Sequence, residues 1–140
     1  MIFTITFAQM LNILFICIEN SNRSQMAQAF SKIHGSDIVN AYSAGANPSG
    51  KINPTAVEAM KQVGYDLTTH HSKSSHDFGD LNFNYVVSMG CGDACPWVPA
   101  NHRIDWDIPD PRNMDEGEFL KVRNLIENKV KDLLQILRDV

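Results

Sequence analysis

Apolar residues are grouped along the chain in short blocks that predict strands separated by helices. Residues 11–18 form an apolar, β-branched run typical of a strand buried on both faces of a parallel sheet. Similar runs at 38–44 and 85–89 predict two more strands, and residues 103–105 predict a short fourth. Strands that alternate with helices indicate an α/β fold, so we expect a four-stranded parallel sheet with helices on both faces.

Helical spacing of apolar residues occurs in three intervals between and after these strands. The apolar stripes are Met26, Ala29, Phe30 and Ile33, then Val57, Met60 and Val63, and finally Phe119, Val122, Ile126, Leu133 and Leu137. Gly35 and Gly64 are expected to end the first two helices. Asn53 and Pro54 supply the second helix with an N-cap and a first turn, and Asn113 with Glu116 is expected to cap the last helix.

Length, charge and cysteine content restrict the class of protein. The chain has 140 residues, 44% of them hydrophobic, which fits one domain with a real core. The net charge is -4 and no run of Lys or Arg is present, so we expect no nucleic-acid partner. Three cysteines, an odd number, favour reduced working thiols in a cytoplasmic protein over a structural disulfide framework.

The beginning of the chain is mostly apolar but resembles neither a signal peptide nor a membrane span. The first cation is Arg23, and polar residues interrupt the apolar run before residue 18. We interpret this stretch as part of a soluble protein with no membrane partner. Residues 1–10 are expected to be an N-terminal extension of a single domain spanning 11–140, with Met10 as a candidate initiator.

A Cys-x5-Arg-Ser motif follows the first predicted strand and precedes the first helix. Its residues are Cys17, Ile18, Glu19, Asn20, Ser21, Asn22, Arg23 and Ser24. Five residues between Cys and Arg can curl so that backbone N–H groups point inward and bind an anion, and the helix N-terminus adds its dipole. Arg23 would clamp two oxyanion oxygens, Cys17 would be the nucleophile, and Ser24 would donate a hydrogen bond to its thiolate. The alternative is a buried core cysteine with Arg23 in a salt bridge.

The motif, with the following Gln25-Met26-Ala27, resembles the low-molecular-weight tyrosine phosphatase family, and specifically its arsenate reductase branch. The resemblance covers about residues 11–139. Many relatives place a second cysteine immediately before the arginine, whereas this chain has Asn22. The resemblance also allows a potassium ion near the nucleophile loop, with ligands that the sequence does not identify.

The resemblance assigns two further catalytic elements. It maps Asp110, in an Asp-Pro pair, onto the general acid, although spacing alone leaves Asp105 and Asp107 as competitors. It also maps Cys91 onto the thiol that attacks the arsenic adduct and Cys95 onto the thiol that resolves the disulfide, before transfer to thioredoxin or a similar thiol donor. Many relatives space this pair more widely. The alternatives are inert cysteines or a zinc site with His102, although a zinc site would need a Cys-x2-Cys pair and more ligands.

Three functions compete at this point. Arsenate reduction needs two electrons, and three cysteines can supply them without a flavin, nicotinamide or metal cofactor. A phosphatase would use Cys17, Arg23 and Asp110 alone, yet Arg112 follows the Asp-Pro pair where phosphatases of this family commonly have Tyr. A non-catalytic oxyanion binder or thiol redox sensor is the third hypothesis. We expect a monomeric arsenate reductase.

The histidines at 70, 71 and 76 are expected on a solvated loop.

Overall fold

The computed structural model describes residues 9–139. Four strands form one parallel sheet in the order β2-β1-β3-β4, with β1 Leu11–Cys17, β2 Val39–Gly45, β3 Phe83–Ser88 and β4 Ala100–Asp105. The predicted fold class is confirmed, and the fourth strand is longer than its sequence signal indicated. Most of the expected N-terminal extension lies outside the described residues.

Three α-helices follow the predicted order, α1 Arg23–Gly35, α2 Pro54–Lys61 and α3 Glu116–Arg138. Short 3-10 helices occupy Leu67–Thr69, Ser75–Phe78 and Gly92–Ala94. The side chain of Asn53 accepts a hydrogen bond from the Thr55 N–H, which confirms the predicted cap of α2. No helix in the described part of the chain is long and apolar enough to cross a membrane.

Alternation along β1 divides the core between the two faces of the sheet. Phe15 and Cys17 belong to the larger cluster, to which all three α-helices contribute, whereas Leu14 and Ile16 belong to a smaller one. The smaller cluster is covered by the 3-10 helix at Ser75–Phe78 and by loop residues. Helical segments therefore flank both faces, but the α-helices all contact the larger cluster.

Gly35 does not end α1 in the way that the sequence suggested. It lacks the left-handed backbone of a helix stop, and helix α1 is followed by Ser36 in a right-handed conformation. A Cβ atom built on Gly35 would lie 2.6 Å from a methyl group of Leu134. The glycine is required because α1 and α3 approach closely there. Ile33 and Val63, expected on apolar stripes, are instead 42% and 38% exposed.

The start of α3 also differs from the prediction. Asp115, rather than Asn113, is the N-cap, and its carboxylate accepts a hydrogen bond from the Glu118 N–H at 2.9 Å. Glu116 therefore lies in the first turn instead of closing a capping box. The predicted apolar face of α3 is confirmed, since Phe119, Val122, Ile126 and Leu133 are buried.

The carboxyl ends of all four strands meet at one edge of the sheet. Cys17 at the end of β1 pairs with Gly45 at the end of β2. The Met89 N–H donates to the Ile16 carbonyl, and the Trp106 N–H donates to the Ser88 carbonyl. The loops after β1, β3 and β4 therefore begin side by side, as expected for a ligand site in an open parallel sheet.

Candidate active site

The loop after β1 is held from outside through its carbonyl groups. The carbonyls of Cys17, Ile18, Glu19 and Ser21 accept hydrogen bonds of 2.7–3.1 Å from the backbone N–H groups of residues 46, 47, 49 and 53. Among the described residues, no backbone carbonyl accepts from the N–H groups of residues 18–22. These N–H groups are therefore left available to an anion, as an anion nest requires.

Two side chains fix the loop and the thiol that it carries. Asn20 has a left-handed backbone, with φ 53°, and is fully buried. Its Nδ2 donates to Ser24 Oγ at 2.8 Å, and Ser24 Oγ lies 2.8 Å from Cys17 Sγ. The expected contact between Ser24 and Cys17 is therefore present, and it orients the sulfur at the bottom of the loop.

A cavity of about 80 Å³ opens above Cys17. Its lining consists of Cys17, Ile18, Glu19, Ser21, Asn22, Arg23, Asp110 and Arg112. Sites for drug-sized ligands are larger, about 300–1,000 Å³, so this cavity suits a small anion. Asn20 and Ser24, also predicted in the oxyanion site, lie behind the loop instead of on the cavity wall.

Arg23 is positioned by residues from the other loops at this edge. Its side chain is 6% exposed, and it donates to the Ile108 carbonyl at 3.1 Å. The second guanidinium nitrogen, Nη2, lies 3.8 Å from an Asp110 carboxylate oxygen. Gly90, with φ 95°, packs against the guanidinium so closely that a Cβ atom there would clash with it. One face of Arg23 is thus left for the cavity.

Asp110 is the acidic residue of the 105–110 segment that reaches the cavity. Its side chain is 39% exposed, which leaves it accessible to solvent protons. Asp105 pairs with β3 at the end of β4, and neither it nor Asp107 lines the cavity. Arg112, which sequence analysis did not include in the site, bridges Glu19 at 3.2 Å and Asp110 at 4.0 Å.

Cys91 and Cys95 form a disulfide, with their Cα atoms 5.1 Å apart. Cys91 is buried on the smaller cluster, and its sulfur lies 4.0 Å from the carbonyl of Ile16, the residue before Cys17. Cys95 is half-buried. The pair is therefore adjacent to the nucleophile loop but faces away from its cavity.

A second layer behind the loop comes from residues 70–74, which the sequence placed on a solvated loop. Ser72 Oγ donates to the Glu19 carbonyl, and the Lys73 N–H donates to Asn20 Oδ1, both at 2.9 Å. His70 is half-buried and contacts Gln25 and Tyr65, so the expectation of a solvated histidine is wrong there. These contacts join residues far apart in the chain, so local pattern could not reveal them.

The Lys73 ammonium group occupies the oxygen-rich position beside this layer. It donates to Ser43 Oγ at 3.3 Å and to the His71 carbonyl at 3.0 Å. Burial lowers the pKa of Lys73 to about 8, which leaves it mostly cationic at neutral pH. A potassium ion would be repelled from these two oxygens by this charge, so they do not fit as ligands of the potassium ion that the resemblance allowed.

Metal ligation is a separate question for the His, Cys, Asp and Glu side chains. Within residues 9–139, no group of three or more of them is placed to hold a metal ion. Cys91 and Cys95, the core of the zinc alternative, are bonded to each other.

Comparisons with known proteins agree with this fold. The model of the low molecular weight phosphotyrosine protein phosphatase family matches residues 12–140. The chain belongs to this family. Within it, the arsenate reductase of Staphylococcus aureus strain Newman is 40% identical over 124 residues, which cover 86% of this chain and 93% of that protein.

Solved structures point to the same group. An arsenate reductase in the phosphate binding state superposes with a TM-score of 0.81 at 32% identity, covering 90% of this chain and 98% of that one. The Corynebacterium glutamicum thioredoxin-dependent arsenate reductase gives a TM-score of 0.75 at 27% identity, covering 95% of this chain and 64% of that one.

Proposed function

We propose that this protein reduces arsenate to arsenite, with Cys17 as the nucleophile and Cys91 and Cys95 as the electron source. The observation that carries the proposal is the Cys91–Cys95 disulfide beside the end of β1, one residue from the glycine that packs on Arg23. A phosphatase has no use for this pair. The arsenate reductases among the relatives support the same conclusion.

The first step forms a covalent bond between sulfur and arsenic. Arsenate enters the cavity, where the N–H groups of residues 18–22 and the Arg23 guanidinium balance its charge. The Cys17 thiolate attacks arsenic, and an oxygen leaves as water after Asp110 donates a proton. Ser24 donates its hydrogen bond to the thiolate before the attack. Arsenic remains in oxidation state five in this adduct.

The second step transfers two electrons to arsenic. The Cys91 thiolate attacks Cys17 Sγ, the S–S bond forms, and the electron pair of the S–As bond passes to arsenic, which leaves as arsenite. The Cys95 thiolate then attacks Cys91 Sγ and releases the Cys17 thiolate. The protein ends with the Cys91–Cys95 disulfide and a free Cys17, the state that the structure represents.

The segment that carries the pair must move between these states. In the disulfide state Cys91 lies on the smaller cluster, away from the cavity that holds Cys17. Gly90 and Gly92 flank it in left-handed conformations, with φ 95° and 53°. Glycine at both positions supports a change of backbone conformation at low cost.

We infer that an external dithiol protein of the thioredoxin type regenerates the pair by attack on Cys95. Cys95 supports this because it is half-buried, whereas Cys91 is only 6% exposed. We also infer that the protein acts in the cytoplasm, since reduced thiols require a reducing compartment. We further infer that it is a monomer, that residues 11–140 form its domain, and that it has no nucleic-acid partner. Gel filtration tests the monomer.

The phosphatase hypothesis rests on the same Cys17, Arg23 and Asp110, so weak hydrolysis of a phosphomonoester is expected. No aromatic side chain belongs to the described lining of the cavity, which disfavours phosphotyrosine. An oxyanion binder or redox sensor would instead bind arsenate without turnover.

Turnover assays separate these functions. With a thioredoxin system, wild type should reduce arsenate over many cycles, and Cys91→Ser should lose multiple turnover while keeping its hydrolysis of phenyl phosphate. Cys17→Ser should lose both activities. Mass spectrometry after arsenate treatment of Cys95→Ser should find a trapped Cys17–Cys91 bond. A Cys91→Ser enzyme that still turns over arsenate repeatedly contradicts the relay.

A further inference from the structure

An unbroken chain of hydrogen bonds connects Cys17 to Tyr65, which lies in the segment that follows α2. Four side chains lie between them. The successive distances are 2.6 Å from Tyr65 Oη to His70 Nε2, 2.9 Å from His70 Nδ1 to Gln25 Oε1, 2.8 Å from Gln25 Nε2 to Asn20 Oδ1, 2.8 Å from Asn20 Nδ2 to Ser24 Oγ, and 2.8 Å from Ser24 Oγ to Cys17 Sγ.

The partners of Gln25 fix the direction of the outer half of the chain. Its Nε2 faces three acceptors, the Asn20 carbonyl, Asn20 Oδ1 and the His71 carbonyl, so this end is the donor. Its Oε1 must then accept from His70, which places the His70 proton on Nδ1. His70 Nε2 is left as an acceptor, and the Tyr65 hydroxyl donates to it.

The inner half runs in the same direction. Asn20 Oδ1 accepts from Gln25 and from the Lys73 N–H, so Asn20 Nδ2 donates to Ser24 Oγ. The Ser24 hydroxyl proton is then free to point at Cys17. Every donor in the chain thus points toward the sulfur, and hydrogen bonds aligned in this way polarise one another.

We propose that His70 and Tyr65 are positioning residues that stabilise the Cys17 thiolate through Gln25, Asn20 and Ser24. The inference rests on the proposed function because it extends the activation of the same nucleophile. Neither residue touches the substrate cavity, whose lining contains neither of them.

The protonation states of both residues suit this role. Burial lowers the pKa of His70 to about 4, helped by the nearby charges of Lys32 and Lys73, so the ring is neutral at pH 7. Only a neutral ring can donate at Nδ1 and accept at Nε2. Burial raises the pKa of Tyr65, which keeps its hydroxyl protonated.

Other charged groups lie near the two ends of the hydrogen-bond chain, and substitution of Tyr65 or His70 leaves these groups in place. Around the cavity above Cys17 they are Glu19, Arg23, Asp110 and Arg112, and around His70 they are Lys32, His71 and Lys73. The matched controls are therefore chosen to alter similar side chains outside the hydrogen-bond chain.

The test measures the reactivity of Cys17 against pH. In a Cys91→Ser/Cys95→Ser background, only Cys17 reacts with iodoacetamide, and the alkylation rate follows its thiolate fraction. We expect Tyr65→Phe to raise the midpoint of the profile by about half a unit and His70→Leu by about one unit; one unit is a tenfold smaller thiolate fraction below the midpoint. Tyr42→Phe and His71→Leu are the matched controls.

The outcomes separate the proposal from a purely structural role. Midpoints of Tyr65→Phe and His70→Leu that coincide with those of Tyr42→Phe and His71→Leu would overturn it. If His70→Leu fails to fold, Tyr65→Phe decides, because it keeps the ring and removes only the hydroxyl. The assay uses no arsenate, so failure of the proposed reduction, seen as absent turnover, is recorded independently.

Discussion

The two loops that carry the cysteines begin side by side at one edge of the sheet but are built in opposite ways. The nucleophile loop, residues 17–24, is tied by backbone bonds to residues 46–53 and by hydrogen bonds that involve side chains to residues 72 and 73. Among described residues, the cysteine-pair loop, residues 90–99, has two short-range backbone hydrogen bonds of its own, from Ala94 N to the Cys91 carbonyl and from Cys95 N to the Gly92 carbonyl. It contacts the rest of the protein through Cys91 and Val98, which pack on the smaller cluster and contact the Ile16 carbonyl and the Arg103 side chain, respectively.

The difference matches the two tasks. An anion nest stabilises a transition state only if its donors are already in place, so the first loop is over-determined by its contacts. A resolving thiol must reach one sulfur and then another, so the second loop needs few contacts and permissive backbone positions. Chemistry at arsenic and exchange between sulfurs should therefore respond separately to mutation.

The largest expected separation comes from Asp110. Asp110→Asn should lower arsenate turnover by roughly 10²- to 10⁴-fold, because the leaving oxygen loses its proton donor. The rate at which dithiothreitol reduces the Cys91–Cys95 bond should not change. Stopped-flow measurement of both rates checks this, with Asp107→Asn as the control outside the cavity. Equal losses in both rates would remove the distinction between the loops.

Gly45 tests the rigidity of the nucleophile loop. A Cβ atom there would lie 2.8–2.9 Å from the Ile18 carbonyl oxygen and the Asn20 nitrogen, both backbone atoms. Gly45→Ala should therefore destabilise the protein by about 1–3 kcal/mol and weaken phosphate binding. Urea unfolding and calorimetric titration measure the two effects. Gly117→Ala in α3 is the control, and should stabilise by up to about 1 kcal/mol.

Gly92 tests the cysteine-pair loop. Its φ of 53° is left-handed, and a Cβ atom added there would meet no described atom within 4 Å, so backbone strain alone decides the outcome. Gly92→Ala should cost about 1 kcal/mol and slow turnover by less than tenfold, whereas Gly92→Asn should be milder because Asn tolerates this conformation. Phosphate affinity should be unchanged in both. A loss of phosphate affinity would show that the loops are coupled.

The first loop was predictable from sequence because its chemistry is local. Strand, Cys-x5-Arg-Ser and helix are consecutive, so spacing alone indicated an anion site around Cys17 and Arg23. The parallel sheet was predictable for a similar reason, because strands that alternate with helices leave few topologies, whereas the strand order came only from the structure. Asp110 needed the family resemblance, because an Asp-Pro pair alone is equally typical of a turn.

The supporting layer was not predictable in this way. His70 and Tyr65 lie far from Cys17 in the chain, and their contacts with Gln25 depend on how the crossover after α2 returns over the sheet edge. Nothing in a polar stretch with three histidines indicates which one is buried. Gly35 and Asp115 show the same limit at helix ends, where close packing and a competing cap decided the boundary.

The smallest expected effect is the contribution of His70, which lies behind the nucleophile loop, to the pH dependence of the free energy of unfolding. Because the folded pKa of His70 is about 4, below the ordinary 6.5, the unfolded chain binds more protons between these values. The part of the stability that depends on a neutral His70 ring is therefore fully present above pH 6.5 and is lost as the pH falls toward 4. His70→Gln should flatten this slope by about 1 kcal/mol between pH 6.5 and 4.5, with solvent screening included.

Urea unfolding of wild type, His70→Gln and the control His71→Gln at the two pH values measures this difference, because the carboxylate titrations common to all three cancel. The cysteine-pair loop contains no histidine, so no group within it titrates as histidine in this window. An identical slope in His70→Gln and wild type would mean that His70 protonates freely in the folded protein. The neutral ring that the hydrogen-bond chain requires would then be absent at mildly acidic pH, and the support behind the nucleophile loop would be weaker than its distances indicate.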